Sequence, residues 1–285
     1  MAVSECRRAV PSGPQQRAVR AVNPIRRTAP ASAYDVAVTA LMGLDAKLRL
    51  ARTLVVVDTR HDDVAAYVSA LYAQGADIIQ VRDDEAPLDW LRTVVETAQR
   101  IAAPLNKLVA VTGDVDVARQ VMADVLVGGP DLDPGFAHAR LHEYALVGLP
   151  ASTADDCRRI AGSEATEFAV VGPLQLVAGS AATAPGLDLV RVAAELMPVA
   201  DPDGMPWFAT GGFAADRIEE VVAAGARRAG LVMTDRTDIA DVGRVSTALR
   251  RVWAADPSLD GFAFRALSRP SRVAGSRKLS GPTSW

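Results

Sequence analysis

The feature that most constrains the fold is a repeat of an apolar, β-branched segment, a polar turn and a stretch of helical periodicity. It occurs eight times in succession between residues 53 and 254. The predicted strands are Thr53–Asp58, Ile78–Arg82, Leu108–Thr112, Val125–Val127, Ala145–Leu149, Phe168–Gly172, Trp207–Thr210 and Ala229–Met233. Such alternation is typical of a parallel sheet covered by helices. Eight units of this length favour a closed (β/α)8 TIM barrel over an open sheet, which would leave its edges exposed.

The predicted helices fill the intervals between these strands. Gly75 ends the first helix at a C-cap, Pro104 stops the second, and a hydroxyl at Ser152 or Thr153 begins the helix after strand five. No G-x-G-x-x-G follows the first strand, which argues against a dinucleotide-binding fold. Residues 35–50 have an amphipathic helical pattern, so we expect a leading helix that plugs the lower end of the barrel or packs beside the last helix.

Charge divides the 285-residue chain into three parts. Residues 1–34 carry a net charge of +5 and residues 258–285 a net charge of +4, whereas the whole chain is at −3. Both ends are rich in Pro, Ser, Gly and Arg without aromatic interleaving, so we predict disordered basic tails around one barrel domain of residues 35–257. Docking of a tail on an acidic partner is the alternative, and nucleic acid is not an expected partner.

Composition sets a few further limits. Hydrophobic residues make up 49% of the chain, but no apolar run approaches the roughly 20 residues that span a bilayer. The N-terminal stretch has no apolar h-region, which argues against a secretory signal, with a transit peptide as the minor alternative. Cys6 and Cys157 have no ligand-like neighbours and predict no disulfide framework. We therefore expect a cytoplasmic protein without a membrane partner; homo-oligomerisation stays open.

In a barrel of this kind, ligands are bound by the loops that follow the carboxyl ends of the strands. The polar residues at these positions are Asp58, Arg60, Gln80, Arg82, Asp83, Asp84, Thr112, Asp114, Asp131, Ser152, Gln175, Ser180, Thr210, Thr234, Asp235 and Arg236. Because all the strands are parallel, we expect Asp58, Arg82, Asp131 and Gly211 to lie around one mouth of one barrel.

The strongest local signal is the segment Trp207–Phe213, WFATGGF, in which Gly211 and Gly212 join strand seven to a helix. A Gly-Gly pair exposes backbone amides, and a helix dipole favours an anion at its amino end. The loops after strands seven and eight are the usual phosphate site of TIM barrels. We therefore predict that Gly211, Gly212, Met233 and Thr234 bind a phosphate. The alternative is that the glycines only permit a tight turn.

Over roughly residues 53–253 the sequence resembles the thiamine phosphate synthase and thiazole tautomerase superfamily. The resemblance is carried by LVVVD (54–58), GADIIQVRDDE (75–85), VAVTGDVDVA (109–118), ADVLVGGPDL (123–132), VVGP (170–173), ATGGF (209–213) and GARRAGLVM (225–233). No segment is specific alone, but their order and spacing are. The resemblance implies a TIM barrel that binds a small phosphorylated molecule, and a transferase activity in thiamine biosynthesis that uses Mg²⁺.

The residues that the resemblance would assign to catalysis are only partly present. In the family, strand two ends in Gln-x-Arg-x-Lys, whose Arg and Lys hold the substrate pyrophosphate; here Gln80 and Arg82 match, but Asp84 stands at the Lys position. Asp131 matches a carboxylate that binds Mg²⁺ after strand four. The resemblance therefore implies Arg82 and Asp131 as catalytic residues, Gln80 and Arg82 as ligand contacts, and Asp131 as a Mg²⁺ ligand.

Three other family features are replaced. The Asn-Asp pair after strand three, which holds substrate and Mg²⁺, is Thr112-Gly113 here, and the Ser after strand five aligns with Pro150. The Thr-x-Thr-Lys after strand six aligns with Val177–Ser180. One carboxylate in place of two makes a poor Mg²⁺ site. Loss of even one electrostatic donor commonly costs about 10²–10³ in rate.

Other chemistries have less support. Lys107 is the one lysine in the repeat region, and because it precedes strand three it faces the inert end, which excludes a Schiff-base mechanism. His138 and His142 have i, i+4 spacing, but without a third ligand we predict surface residues rather than a zinc site. A metal site rebuilt from the acids after strands two and three is a minor alternative, because adjacent acids at a strand end usually face different directions.

The sequence thus supports two functional hypotheses. In the first, the chain is a divergent, non-catalytic member that keeps the phosphate site and binds a small phosphorylated ligand such as thiazole phosphate. In the second, it is an enzyme, either an active thiamine phosphate synthase with substituted residues or another phosphate-dependent transferase or isomerase. The fold alone does not decide between them. Turnover of a phosphorylated substrate would.

Overall fold

The structure is a computed structural model that describes residues 43–174, 186–201, 203–213, 215–234 and 237–267. Its strands are β1 Thr53–Val57, β2 Ile78–Val81, β3 Leu108–Thr112, β4 Val125–Val127, β5 Leu146–Ala151, β6 Phe168–Val171, β7 Trp207–Thr210 and β8 Ala229–Val232. They form a closed parallel barrel in chain order, with β8 paired to β1. The predicted (β/α)8 barrel is confirmed, and the strand limits differ from the predicted ones by at most two residues.

Helices lie between the strands and at both ends of the barrel domain. They are α1 Leu44–Leu50, α2 Val64–Ala73, α3 Leu88–Ala102, α4 Val115–Gln120, α5 Pro134–His138, α6 Ala154–Ala161, α7 Gly186–Leu196, α8 Ile218–Ala223, α9 Ile239–Ala255 and α10 Phe262–Leu267. No helix of the described ranges is long and apolar enough to cross a bilayer.

Each strand is buried on both faces, which explains its uninterrupted apolar sequence. On β1, Val55 and Val57 pack outward under the helices, whereas Leu54 and Val56 point into the lumen. The lower lumen is filled by Phe168 and Phe208, whose rings meet edge-on with centroids 6.2 Å apart. The lower part of the barrel is therefore a packed core.

The leading helix closes the lower end of the barrel. Leu48 of α1 is fully buried and belongs to the lumen cluster, together with Ala51 just after the helix. Arg49 and Asp45 form a buried ion pair at 3.0 Å. Of the two arrangements expected for residues 35–50, the plug is confirmed for α1; residues 35–42 lie outside the described ranges.

Helical structure extends beyond the predicted C-terminal boundary at residue 257, as far as Leu267. A 3₁₀ turn at Pro257–Leu259 leads into α10, and Leu259, Phe262 and Ala266 pack against Trp253. These apolar residues recur at helical spacing, a signal outweighed in the sequence by the basic, Pro- and Ser-rich composition around it. The remainder of both predicted tails, residues 1–42 and 268–285, lies outside the described residues.

Candidate active site at the barrel mouth

The parallel barrel places the carboxyl ends of all its strands at one mouth. Asp58, Arg82, Asp131 and Gly211 follow β1, β2, β4 and β7 there, as predicted. Lys107 precedes β3 at the opposite end, where its ammonium contacts Asp77. The candidate site is therefore built from loops that share one rim.

The floor of the mouth is mostly apolar. Val56, Val127 and Val170 belong to the lumen-facing cluster. Val232 pairs with Val56 on the neighbouring strand, so it faces the same side, and it is 39% exposed. A ligand entering from above would meet valine side chains on several strands, which suits a flat apolar ring.

Gln80 is the polar exception in this floor. It is 5% exposed and is paired in register with Val56 and Ala110. Its Nε2 donates a hydrogen bond to Thr112 Oγ1 at 2.6 Å. Its carbonyl oxygen Oε1 is buried and has no hydrogen-bond partner within the described ranges. An unpaired buried acceptor costs about 1–3 kcal/mol, so Oε1 offers a favourable contact to any ligand donor.

Arg82 lies at the rim beside the acid that replaces the family lysine. Its Nη2 is 3.9 Å from the carboxylate of Asp84, and the two side chains are 61% and 72% exposed. The carboxylate therefore offsets the charge of the guanidinium to which the resemblance would assign the pyrophosphate. An exposed pair of this kind adds little stability. Asp84 instead makes the electrostatic potential of the mouth less positive.

Asp83 faces away from its neighbour Asp84 and joins two loops. The amide and hydroxyl of Thr59 both donate to its Oδ2, and Trp90 Nε1 donates to the carbonyl of Thr59 at 3.2 Å. The Thr59 hydrogen bond lowers the pKa of Asp83 below its usual value. The adjacent acids Asp83 and Asp84 thus have different partners. The sequence does not predict the hydrogen bonds between Asp83, Thr59 and Trp90, because these residues belong to separate repeat units.

The loop after β1 is ordered by a second local cluster. Asp58 accepts a hydrogen bond from the amide of Arg60 at 3.1 Å and lies 3.7 Å from His61 Nε2. The His61 ring stacks on Tyr67 with centroids 3.6 Å apart. Burial, and then the charge of Asp58, raise the pKa of Tyr67 to about 12. The tyrosine therefore stays neutral and serves as a packing surface.

The donor set does not fit the Mg²⁺ that the resemblance implies. Asp131 is exposed in the turn after β4, and Gly113 offers no side chain where the family has a carboxylate. Asp114, the next acid, caps α4 by accepting a hydrogen bond from Val117 N at 2.9 Å. Across the described ranges no three His, Cys, Asp or Glu side chains gather as a metal site. Since Mg²⁺ is bound through several carboxylate and phosphate oxygens, one exposed carboxylate is insufficient.

Other sequence candidates have structural roles. His138 Nε2 lies 3.1 Å and His142 Nε2 3.0 Å from backbone carbonyls of two different segments. Both side chains are partly buried, so the prediction of surface residues is wrong. Thr153 is the N-cap of α6 in a capping box with Asp156, which also accepts the amide of Ser152. Gln175, Val177–Ser180, Asp235 and Arg236 lie outside the described residues.

The Gly-Gly turn after β7 has a geometry that strongly favours glycine. Gly211 and Gly212 have φ angles of 86° and 69°, in the left-handed region. A Cβ on Gly211 would lie 2.9 Å from Pro173 Cα. The amide of Leu174 donates to the carbonyls of Thr210 and Gly211 at 3.1 and 2.7 Å. The tight turn, which was the alternative to a phosphate site, is therefore present. Its presence does not test whether the turn also binds a phosphate.

The helix predicted directly after Gly212 begins later and is short. A 3₁₀ turn at Ala215–Arg217 precedes α8, which has six residues. Because the alignment of peptide dipoles is limited in so short a helix, a phosphate site here would depend on the backbone amides of the turn. Met233 and Thr234 follow β8 on the adjacent loop, and Thr234 Oγ1 lies 3.1 Å from Thr237 Oγ1.

Comparison with known proteins adds an independent finding. A profile of the thiamine monophosphate synthase family matches residues 53–234. A thiamine-phosphate synthase of Mycobacterium avium is 37% identical over 197 residues, covering 64% of this chain and 85% of that relative. One of Thermobifida fusca is 32% identical over 209 residues, covering 72% and 93%.

Solved structures show the same fold at lower identity. The thiamine phosphate pyrophosphorylase from Pyrococcus furiosus is similar with a TM-score of 0.53 and 21% identity, covering 79% of this chain and 100% of that chain. TrpF from Jonesia denitrificans is similar with a TM-score of 0.50 and 16% identity, covering 72% and 100%. At these identities the likeness extends to the barrel architecture alone.

Proposed function

The chain belongs to the thiamine monophosphate synthase family, and we propose that it binds a small phosphorylated molecule at the barrel mouth without carrying out the pyrophosphate chemistry of the family. The observation that carries this proposal is the 3.9 Å approach of Asp84 to Arg82. A carboxylate beside the remaining guanidinium weakens the mouth for pyrophosphate, which carries more negative charge than a phosphate monoester.

The phosphate itself is assigned to the turn at Gly211 and Gly212. Positive φ angles at both residues make a tight turn, and a turn can present successive backbone amides to an anion. Loops after strands seven and eight are the common phosphate site of the fold. Met233 and Thr234 would border the anion, and the valine floor would take the uncharged part of the ligand.

The family reaction would lack several contributions in this chain. Departure of pyrophosphate requires cations and Mg²⁺ to stabilise the developing charge, and each lost donor costs about 10²–10³ in rate. Asp84 replaces a cation and Gly113 replaces a carboxylate ligand, leaving Arg82 and Asp131 as the remaining catalytic candidates. Losses at two such positions would reduce the rate by about 10⁴ or more if they act independently.

Calorimetric titration with thiazole phosphate, in parallel with inorganic phosphate, tests the binding site. Gly212→Val should weaken binding of both by at least about tenfold, because a β-branched residue is incompatible with the turn. Gly261→Val is the matched control: Gly261 has a φ of 68° but lies at the other end of the barrel. Equal affinity in wild type and Gly212→Val, or equal losses in the two variants, would contradict the assignment.

Active thiamine phosphate synthase is the second candidate function. It is favoured by the 37% identity to the Mycobacterium avium relative, which covers 85% of that protein. In that case Arg82 and Asp131 would be the catalytic residues, acting beside residues that differ from those of the family. The same two residues would serve another phosphate-dependent transferase or isomerase. Formation of thiamine phosphate by the purified chain would establish this function in place of the first.

A further inference from the structure

We propose that the groove between α8 and α9, on the outer surface of the barrel, is the interface through which two copies of this chain form a dimer. The groove has a volume of about 570 Å³ and lies between the helices that follow β7 and β8. This inference goes beyond the proposed function, because it assigns a protein partner to a surface outside the barrel mouth.

The groove arises from the unequal lengths of two neighbouring helices. α8 has six residues whereas α9 has seventeen, so α8 covers only part of the flank that α9 turns toward it. Gly243 adds no side chain to this flank. The base of the groove is formed by three buried apolar side chains, Ala215, Ile218 and Ala248. The result is an apolar floor between two separate helical walls.

The two walls of the groove carry opposite charges. Asp216 and Glu219 line the α8 side, and Arg244 and Arg251 line the α9 side, all four with exposed side chains. Arg244 contacts Asp241 on its own helix. Glu219 and Arg251 take part in no ion pair within the described ranges. The carboxylate of Glu219 and the guanidinium of Arg251 are therefore available to a partner.

Walls of opposite charge make the groove complementary to itself. A two-fold axis parallel to the groove places the acidic wall of one copy against the basic wall of the other, on both sides of the axis. Both contacts are then attractive, which meets the requirement that an isologous interface match itself. A basic or an acidic peptide, in contrast, would be attracted by one wall and repelled by the other. A second copy of this chain is therefore the occupant that the groove fits.

The size of this face sets the strength of the dimer. A helix of seventeen residues is about 25 Å long, and two neighbouring helices are about 20 Å wide, so the face covers about 500 Å² per copy. The total of about 1,000 Å² lies at the lower limit of specific interfaces. We therefore expect a dimer with a Kd of roughly 1–100 μM, which dissociates on dilution.

Sedimentation velocity of the full chain, over a concentration series that spans the expected Kd, measures this equilibrium. Glu219→Arg and Arg251→Glu each place like charges on both sides of the axis and should weaken the dimer by at least about tenfold. Glu96→Arg, an exposed charge reversal on α3, is the matched control and should change the Kd by less than about twofold. Raising the salt concentration should weaken the wild-type dimer, because the wall charges are exposed.

Mixing the two groove variants is the decisive measurement. In a heterodimer of Glu219→Arg with Arg251→Glu, each wall again faces the opposite charge, so the equimolar mixture should dimerise more strongly than either variant alone. A misfolded variant could not regain association in this way, and thermal unfolding verifies the fold of each.

Three results would overturn the inference. The first is a wild-type chain that stays monomeric well above the expected Kd, which would leave the groove to a different protein. The second is a dimer that both charge reversals leave unchanged, and the third is a mixture no better associated than its components. The phosphate titrations test the proposed function separately, so failure of the dimer leaves that proposal in place.

Discussion

Replacement of Arg228 by Met should destabilise the barrel, because this buried guanidinium anchors the lower plug. Arg228 is 2% exposed, and its Nε and Nη2 donate to the carbonyls of Ala51 and Arg49 at 3.0 and 2.8 Å. The guanidinium lies 5.2 Å from the ring centroid of Trp253 and 5.9 Å from that of Phe262. It thus joins α1, α9 and α10 beneath β8.

The magnitude follows from opposing contributions. Removing the donors leaves two buried carbonyls unpaired, at about 1–3 kcal/mol each. Against this, burial and then the charges of Arg49 and Arg52 lower the pKa of Arg228 to about 9. The guanidinium is still protonated at neutral pH, but burying its charge costs free energy in the folded state. Replacing a buried ion by an apolar side chain can recover about 1–4 kcal/mol. A net loss of about 2 kcal/mol, near 4–8 °C in Tm for a domain of this size, is expected.

Thermal unfolding monitored by circular dichroism measures this loss. Arg227→Met is the matched control, one residue earlier, where Arg227 is partly exposed and pairs with Asp256 at 2.9 Å. It should lower the free energy of unfolding by about 1 kcal/mol or less. A Tm of Arg228→Met equal to or above the wild-type value would refute the reasoning, since it would mean that the two carbonyls do not need the guanidinium.

Three further outcomes are expected. Asp84→Lys should tighten binding of inorganic phosphate about tenfold at low salt, whereas the same charge change in Glu195→Lys, at the opposite end, should alter it less than twofold; equal effects would contradict a local role. Cys157 is buried and its pKa is raised to about 11, so peptide mapping should find it unmodified by iodoacetamide at pH 8 in the folded protein; rapid labelling would contradict its burial. The Thr59 hydrogen bond lowers the pKa of Asp83. The ionised Asp83 therefore stabilises the folded state at pH values above the ordinary carboxyl pKa, and this stabilisation is lost as the pH falls through the lowered pKa. Thr59→Val should therefore raise that pKa in a carboxyl NMR titration, and an unchanged value would refute the assignment.

The barrel could be predicted because its signal repeats. Each strand is an apolar run, as in Leu54–Val57, and each interval has helical periodicity, so an error in one unit does not alter the fold. The helix at Phe262–Leu267 could not be predicted because its apolar spacing lies within a basic, Pro- and Ser-rich segment. The local composition there favours disorder, whereas tertiary packing against Trp253 favours a helix, and the packing determines the structure.

The site could be predicted in its position but not in its contacts. The parallel order of strands brings Arg82, Asp131 and Gly211 to one mouth whatever their side chains do. The orientation of the Gln80 amide depends on the register of β2 against β3, which no local pattern specifies. Likewise, the length of the helix after Gly212 could not be predicted, because a short helix and a longer one have the same apolar spacing in the sequence.

The most direct test of the central claim is a condensation assay of the full-length chain with thiazole phosphate and pyrimidine pyrophosphate at high Mg²⁺. Thiamine phosphate is quantified by mass spectrometry, with the Mycobacterium avium relative assayed alongside. We expect no product above the enzyme-free control, although thiazole phosphate binds to the same preparation. Robust formation of thiamine phosphate, at a rate near that of the relative, would contradict it.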